Sequence, residues 1–282
     1  IWLKSLEHYN RAYRQQTAMH ALLLSIVLLF LSSLSLMAQP AVEWDKVYSL
    51  PPEFNLEGGF ARSTPDGGAI MGFRSNSGTR GYFINKFDQN GTKQWENNYA
   101  GDQYDGLSEI IPTSDGGYLL GGMSDSGVSG DKSEPAVRAY DYWIVKITSN
   151  GTKQWDKTFG GVNLDYITSM KQTADGGYIL GGSSSSPANG VKSENSIGID
   201  YWVIKISATG IKQWDKTIRV TGEDRLTYVD QTVEGGYILG GYSYSEAGND
   251  KTAPLKGYSD YWVVRLSANG TKLWDKSYGG YS

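Results

Sequence analysis

The sequence predicts an all-β fold, and three observations lead to this prediction. Segments rich in aromatic and β-branched residues recur along the chain, as at 142–147 and 201–206. Asn-Gly pairs, a strong signal for tight hairpin turns, follow such segments at 90–91, 150–151 and 269–270. No helix signature is found after residue 40, and glycine, at 36 of 282 residues, is about twice as frequent as in average proteins.

These segments belong to a repeat of about sixty residues that is present in four copies. A tryptophan preceded by Lys-Gln or Lys-Leu marks each copy, at Trp95, Trp155, Trp214 and Trp274. A Gly-Gly turn that follows an acidic residue, and a Tyr-Trp pair, keep nearly constant offsets from this tryptophan in the last three copies. Such self-similarity is the mark of a repeat architecture. We place the repeats at about 51–100, 101–160, 161–219 and 220–280.

Each repeat is predicted to form four short strands. In the third copy they lie at 166–173, 178–180, 201–206 and 214–218, and the second is expected to end in the pair Gly181-Gly182. The third strands carry large side chains on both faces, whereas a sheet with one face in water would alternate apolar and polar residues. Blades of four strands stacked face to face around an axis, a β-propeller, satisfy this pattern. A β-sandwich would explain the strands but not the fixed period.

The propeller is expected to be incomplete or open. Residues 41–50 resemble a fourth strand that no repeat precedes, and the last repeat already has its own fourth strand at 274–278. We therefore expect further blades beyond residue 282.

The first 38 residues predict an export signal. An apolar run at 21–31 follows Arg11 and Arg14, and small residues lead to an expected cleavage after Ala38. The predicted parts are an upstream region at 1–20, a signal peptide at 21–38 and the propeller at 39–282. A transmembrane anchor is the alternative, although it needs about 20 apolar residues. Cleavage would leave no stable membrane span and would place the protein in the periplasm, at the cell surface or outside the cell.

Composition excludes several classes of site. The chain has no cysteine, which excludes disulfides, thiolate-bound metals and a cysteine nucleophile. Both histidines, His8 and His20, lie in the predicted leader. The chain has a net charge of −4 and therefore lacks the excess of basic residues that is typical of nucleic-acid-binding proteins. We therefore predict no catalytic residue, no metal site, no cofactor and no nucleic-acid partner.

The repeat motifs also resemble known propeller families. Tyr-Ile-Leu-Gly-Gly at 178–182 is similar to a kelch blade, and residues 207–214 resemble the tryptophan-docking repeat of quinoprotein propellers. Taken together over residues 42–282, the pattern most resembles repeats in secreted proteins of type IX-secreting Gram-negative bacteria. This resemblance implies a propeller and an exported protein. The vicinal cysteines of many quinoproteins are absent.

The repeated side chains are predicted to be mainly structural. Seven tryptophans are expected to pack in or between blades, with a sugar-stacking platform as the alternative: Trp95, Trp155, Trp214, Trp274, Trp143, Trp202 and Trp262. The acids of the glycine turns and of the linkers between blades are expected to cap turns rather than bind calcium; they include Asp66, Asp115, Asp175, Glu234, Asp105, Asp165 and Asp224. The bases of the third strands either pair with carboxylates of a neighbouring blade or form a basic ring: Lys86, Lys146, Lys205 and Arg265.

Long loops between the second and third strands are the predicted binding surface. They span 123–140, 183–199 and 242–259, with a shorter one at 73–80, and all should emerge on one side of the blades. Their candidate ligand-binding residues are Asp131, Lys132, Glu134, Lys192, Glu194, Asp250 and Lys251. Because the loops resemble one another, each could instead fold onto its own blade.

The predicted function is a non-catalytic, exported binding or scaffold module whose partner is a protein or a glycan. The alternative is a propeller enzyme, either a quinoprotein-like oxidoreductase or one that acts on carbohydrate with a pair of carboxylates.

Overall fold

The structure describes residues 56–75 and 81–280. The computed structural model divides the chain into two units, residues 1–45 and residues 46–282, and all described residues belong to the second. The predicted leader and the fourth-strand segment at 41–50 lie outside the described residues.

The described residues form four antiparallel sheets, and each sheet consists of four strands that are consecutive in the chain. Sheet I contains β1 (Leu56–Ser63), β2 (Ala69–Ser75), β3 (Tyr82–Phe87) and β4 (Lys93–Tyr99). Sheet II contains β5 (Asp105–Pro112), β6 (Tyr118–Ser124), β7 (Asp141–Ile147) and β8 (Lys153–Phe159). Sheet III contains β9 (Asp165–Gln172), β10 (Tyr178–Ser184), β11 (Asp200–Ile206) and β12 (Lys212–Ile218). Sheet IV contains β13 (Asp224–Gln231), β14 (Tyr237–Ser243), β15 (Asp260–Leu266) and β16 (Lys272–Tyr278).

This arrangement confirms the all-β prediction. No segment of the described residues is a helix long and apolar enough to cross a membrane.

The sheets stack in chain order and converge along their first strands. Strand β5 packs against sheet I, β9 against sheet II and β13 against sheet III. The first strands of successive sheets also contact one another, whereas the fourth strands lie further apart. Sheets that meet at one edge and spread at the other are the blades of a β-propeller, which confirms the predicted architecture. Consecutive sheets pack against each other, whereas among the described residues the strands of sheet I do not pack against those of sheet IV, so the blades do not close into a ring.

A separate apolar core fills each junction between consecutive sheets. Between sheets II and III, for example, Tyr142 and Ile144 pack with Met170 and Trp202. Every residue of β7 and β11 is buried, because these central strands are covered on both faces. In β15 the burial alternates, and Tyr261 is 75% exposed. The large side chains on both faces of β7 and β11 are thus covered by neighbouring sheets on both sides.

A buried tyrosine links each sheet to the next. The Tyr82, Tyr142 and Tyr201 hydroxyls donate to the carbonyl oxygens of Trp143, Trp202 and Trp262, at 2.9, 3.3 and 3.2 Å. The tyrosine and tryptophan rings of each pair are 4.7–4.9 Å apart. A buried hydroxyl needs such a partner, because leaving it unbonded would cost about 1–3 kcal/mol. These bonds fix the register between blades.

The glycine pair of the second strand serves close packing and does not end the strand. Gly181 and Gly182 lie inside β10, so the predicted strand end is wrong. A Cβ atom on Gly182 would stand 1.9 Å from the Tyr166 carbonyl oxygen and 2.5 Å from the Tyr142 hydroxyl. Only glycine lets the bulged strand β9 and the tyrosine of sheet II approach this closely.

Candidate functional site

The long loops fold back onto their own sheets and bury their lysines. The ammonium groups of Lys132 and Lys192 donate to the hydroxyls of Thr158 and Thr217 on the fourth strands. They also lie 5.6 and 5.0 Å from the ring centroids of Trp143 and Trp202, a favourable cation–π position. Burial lowers the pKa of both lysines to about 8, and the surrounding carboxylates oppose this change.

The loop glutamates hold the same strands. Glu134 accepts hydrogen bonds from the Lys157 ammonium at 2.5 Å and the Thr158 amide at 3.0 Å. Glu194 accepts equivalent bonds from Lys216 and Thr217, at 2.8 and 2.9 Å. Each loop is therefore tied to the outer strand of its own sheet.

The other predicted loop residues also contact their own blade or the linker that follows β4 or β12. Asp131 accepts from the Ala100 amide at 3.2 Å, and Asp250 accepts from the Arg219 amide at 2.8 Å. Lys251 is buried and donates to the Ser245 carbonyl oxygen. The structure does not bring the seven predicted residues together in one site. Their role in ligand binding stays a prediction.

The tryptophans of the third strands are completely buried and orient the loops. The indole nitrogens of Trp143, Trp202 and Trp262 donate to carboxylates of the fourth strands, at 3.0–3.1 Å. In sheet III the acceptor, Asp215, also accepts the amide of Ser193 in the loop. One carboxylate thus joins the core to the loop above it.

The tryptophans of the fourth strands lie at the junctions between sheets. The ring of Trp95 packs against Gly151 of sheet II, where a Cβ atom would stand 3.1 Å from the ring. Trp155 and Trp214 lie in the same way against Gly210 and Gly270. Trp274 is 44% exposed.

The bases of the third strands pair within their own blade. Lys86, Lys146, Lys205 and Arg265 lie 2.7–3.3 Å from the acids of the first turn in the same sheet. The predicted pairing with a neighbouring blade is wrong, because this turn and the end of the third strand are adjacent in each sheet. The turn acids also cap, as predicted, since Asp115 accepts the Gly117 amide at 3.1 Å.

The linker acids cap turns as well. Asp165 accepts the Gly161 amide at 2.8 Å and the Ser186 hydroxyl at 2.9 Å. Within residues 56–75 and 81–280 no group of three carboxylate or histidine side chains is placed to hold a metal ion.

A pocket opens at the axis, where the four first strands converge. Its volume is about 400 Å³. Each sheet contributes at least one wall residue, and the lining consists of Phe60, Ser108, Met123, Tyr166, Ile167, Thr168 and Arg225. We call this space the axial pocket.

β-Bulges shape the wall of the axial pocket. The pairing register shifts at Ser108 in β5 and at Thr168 in β9, so each of these residues is an extra residue in its strand. A bulge bends the strand and redirects the side chain of the extra residue. Both hydroxyl-bearing side chains therefore line the pocket, whereas consecutive side chains of a regular strand would point alternately to the two faces of the sheet.

The polar side chains of the axial pocket are one guanidinium, which only donates, and three hydroxyls, which can donate and accept. The Nε atom of Arg225 donates to Glu223, and the Thr168 hydroxyl donates to the Leu226 carbonyl oxygen at 2.7 Å. Within the described part of the chain, no hydrogen bond engages the outer guanidinium nitrogens of Arg225 or the hydroxyls of Tyr166 and Ser108. These groups can form hydrogen bonds with solvent or with a bound molecule.

Charges along the axis are otherwise balanced. Burial raises the pKa of Tyr166 while Arg225 opposes the rise, and the hydrogen bond to Glu223 raises the pKa of Arg225. Towards the far end of the first strands, Arg62 forms an ion pair with Glu109 at 3.2 Å. Lys171 of β9 and Asp230 of β13 form a second ion pair at 3.9 Å. Both titratable groups of the pocket thus keep their protons near neutral pH.

Sequence reasoning did not identify the axial pocket. Its key positions differ between repeats: Gly106, Tyr166 and Arg225 occupy the same place in sheets II, III and IV. A repeat pattern marks only the positions that recur, so it does not indicate these three residues. A departure from the repeat pattern was the available signal.

Comparisons with known proteins found similar solved structures but no similar sequence family. No protein-family model and no curated protein sequence matches this chain. Among solved structures, a protein of unknown function from Bacteroides caccae is 10% identical with a TM-score of 0.46, covering 82% of this chain and 69% of its own. A candidate exo-β-1,3-galactanase from Bifidobacterium bifidum is 13% identical with a TM-score of 0.46, covering 81% and 74%.

A candidate gluconolactonase is 13% identical with a TM-score of 0.40, and the match covers 79% of this chain and 64% of that protein. The chain thus spans less than two thirds of this protein's length. At these similarities none of the three proteins informs the function of this chain. The assignment of this chain as a β-propeller therefore depends on the arrangement of its own four sheets.

Proposed function

We propose that this protein is an exported, non-catalytic binding module whose axial pocket holds an acidic sugar unit of a glycan. The observation that carries the proposal is the convergence of unengaged donors from Arg225, Tyr166 and Ser108 beside an apolar wall. Pockets with a few convergent polar groups in an apolar setting are typical ligand sites.

An acidic sugar matches each part of this pocket. A carboxylate can accept two parallel hydrogen bonds from the outer guanidinium nitrogens of Arg225. Sugar hydroxyls can bond to the hydroxyls of Tyr166 and Ser108, while the C–H face of the ring packs on Phe60 and Met123. Since Glu223 balances the charge of Arg225, we expect hydrogen-bond geometry to contribute more to affinity than long-range attraction.

The protonation behaviour supports binding over acid–base catalysis. A general acid or base works best when its pKa is near the operating pH. The pKa values of Tyr166 and Arg225 are both raised from values that are already high. Export is supported by the apolar run at 21–31 and by the resemblance of the repeats to those of secreted proteins.

Calorimetric titration of the whole chain with galacturonate and glucuronate oligomers tests this proposal. We expect Arg225→Gln to weaken binding at least tenfold, because the variant loses the charged donors but keeps the side-chain length. Arg138→Gln, at an exposed position on the loop of sheet II, is the matched control and should bind as the parent does. Failure of the parent chain to bind any acidic oligomer would contradict the proposal, and release of reducing ends would favour the enzyme alternative.

A further inference from the structure

The junctions between sheets share a design on the side of the short turns. At each junction the tryptophan of a fourth strand faces a tyrosine that begins the second strand of the next sheet. The ring centroids are 6.5, 6.4 and 5.6 Å apart for Trp95 with Tyr118, Trp155 with Tyr178 and Trp214 with Tyr237. The three junctions can therefore be compared position by position.

A glutamine bridges two of these junctions. Between sheets II and III, the Gln172 side-chain oxygen accepts the Ser114 amide of the preceding turn at 2.8 Å. Between sheets III and IV, Gln231 accepts the Ala174 amide at the same distance. In both cases the glutamine reaches back from the end of a first strand and spans the space between the turns.

The junction between sheets I and II lacks both parts of this bridge. Pro65 stands at the position of Ser114, and Pro112 stands at the position of Gln172. Proline has no amide hydrogen to donate and no side-chain acceptor. A cleft of about 430 Å³ lies at this junction. The hydrogen bond that bridges the equivalent turns at the other two junctions therefore cannot form here.

Strand β4 of sheet I holds one wall of this cleft, the turn at 148–151 of sheet II, in place. The indole nitrogen of Trp95 donates to the Ser149 carbonyl oxygen at 3.0 Å. Asn97 and Tyr99 donate to the Gly151 carbonyl oxygen at 3.0 and 2.5 Å. The turn at 148–151 is thus fixed by three hydrogen bonds, so the cleft is formed before any ligand binds.

The lining of the cleft is aromatic, polar and electrically neutral. Trp95 is half-buried, and the Tyr118 hydroxyl has no hydrogen bond within the described residues. Asp66, whose side chain is 50% exposed, is neutralised by the Lys86 ammonium at 2.7 Å. The amide of Gln94 is exposed and accepts from Lys86 through its oxygen, which leaves its nitrogen to donate.

We propose that this cleft is a second ligand site, specific for a neutral pyranose. A pyranose presents a C–H face that packs on an aromatic ring and hydroxyls that both donate and accept. Trp95 supplies the ring, Asp66 an acceptor, and Tyr118 and Gln94 donors. The balanced charge of the cleft gives an anionic or cationic ligand no advantage. The site shares no residue with the axial pocket, so either proposal can fail while the other holds.

Restoring the missing bridge provides a direct test. In Pro65→Ser/Pro112→Gln the cleft regains the amide and the glutamine that close the other junctions. Ligand-observed NMR and calorimetry would use lactose, cellobiose and maltose as probes on the whole chain. We expect the parent to bind at least one of them and the closed variant to bind at least tenfold more weakly, with unchanged circular dichroism.

The reciprocal change removes the bridge from a junction that has it. Ser114→Pro/Gln172→Pro should create a second cleft between sheets II and III and raise the stoichiometry from one to two. Proline is accommodated at both positions in the first junction, so the fold should accept it. Arg225→Gln should leave neutral-sugar binding unchanged. Absence of binding to all three disaccharides, or equal affinity in the parent and the closed variant, would overturn the proposal.

Discussion

Gly182→Ala should destabilise the protein strongly, because this position lies where two sheets and a bulge meet. The added methyl group would stand 1.9 Å from the Tyr166 carbonyl oxygen, which belongs to the neighbouring strand of the same sheet. It would also stand 2.5 Å from the Tyr142 hydroxyl of sheet II. A backbone oxygen cannot rotate away as a flexible side chain can, so the strand itself must shift.

The size of the effect follows from these contacts. Overpacking of a close-packed site typically costs about 1–3 kcal/mol, and a clash with fixed backbone belongs at the upper end. Displacement of Tyr142 would also weaken its hydrogen bond to the Trp202 carbonyl oxygen, worth about 1 kcal/mol. We therefore expect a loss of about 3–4 kcal/mol, which lowers the melting temperature by roughly 6–15 °C in a domain of this size.

Gly240→Ala is the matched control for this variant. Gly240 lies in the equivalent pair of sheet IV, and a Cβ atom there would meet nothing within 4 Å. Reduced freedom of the unfolded chain should then stabilise the protein by about 0.4–1 kcal/mol. Thermal melts and urea titrations of both variants would give the difference. Equal melting temperatures for Gly182→Ala and the parent would refute the close approach of the sheets.

Four further variants test other contacts. Burial, with Asp165 contributing, raises the pKa of Asp141 to about 7, so the folded protein keeps a proton that the unfolded chain loses near pH 4. The free energy of unfolding should therefore decrease as the pH rises from about 4 to 7. Asp141→Asn should reduce this decrease, as measured by thermal melts at pH 5 and pH 8. Trp202→Ala should cost about 3–5 kcal/mol in urea unfolding. Trp274→Ala, at a 44% exposed ring, should cost about 1 kcal/mol, and similar losses would contradict the burial difference. Glu194→Ala should speed hydrogen exchange at the Thr217 amide, and unchanged exchange would show that the loop is held by other contacts.

The strands and turns were predictable because their signals are local. The Asp-Gly-Gly motif at 115–117 marks a turn in which Gly116 adopts a φ of +81°, a conformation that costs glycine little. The segment 201–206 carries large side chains on both faces, which indicates a strand that is covered on both sides, and β11 is one. The role of the pair at 181–182 was not predictable, because the sequence does not distinguish a glycine that ends a strand from one that lets a neighbouring strand pack closely.

The candidate binding surfaces were less predictable because they depend on residues from different repeats. The charge and the loop position of Lys192 and Glu194 predict ligand contacts. In the structure both side chains instead form hydrogen bonds with Thr217 in the fourth strand of their own sheet. Nothing near Arg225 in the sequence indicates that Ser108 and Tyr166 line the same pocket. Sequence periodicity reports what repeats share, whereas a ligand site is formed by what differs between them.

The sequence by itself determined a repeat of about sixty residues, four strands in each copy and the aromatic composition of the blades. These properties follow from short-range chain geometry and from the two-residue period of a strand. Only the tertiary structure decided which side chains from successive repeats face one another. Pro65 and Pro112 are unremarkable as separate residues, and their effect becomes visible only beside the Gln172 bridge of the next junction. The reason is physical: the hydrogen bonds between blades join groups about fifty to sixty residues apart, and stacking of the sheets alone brings them together.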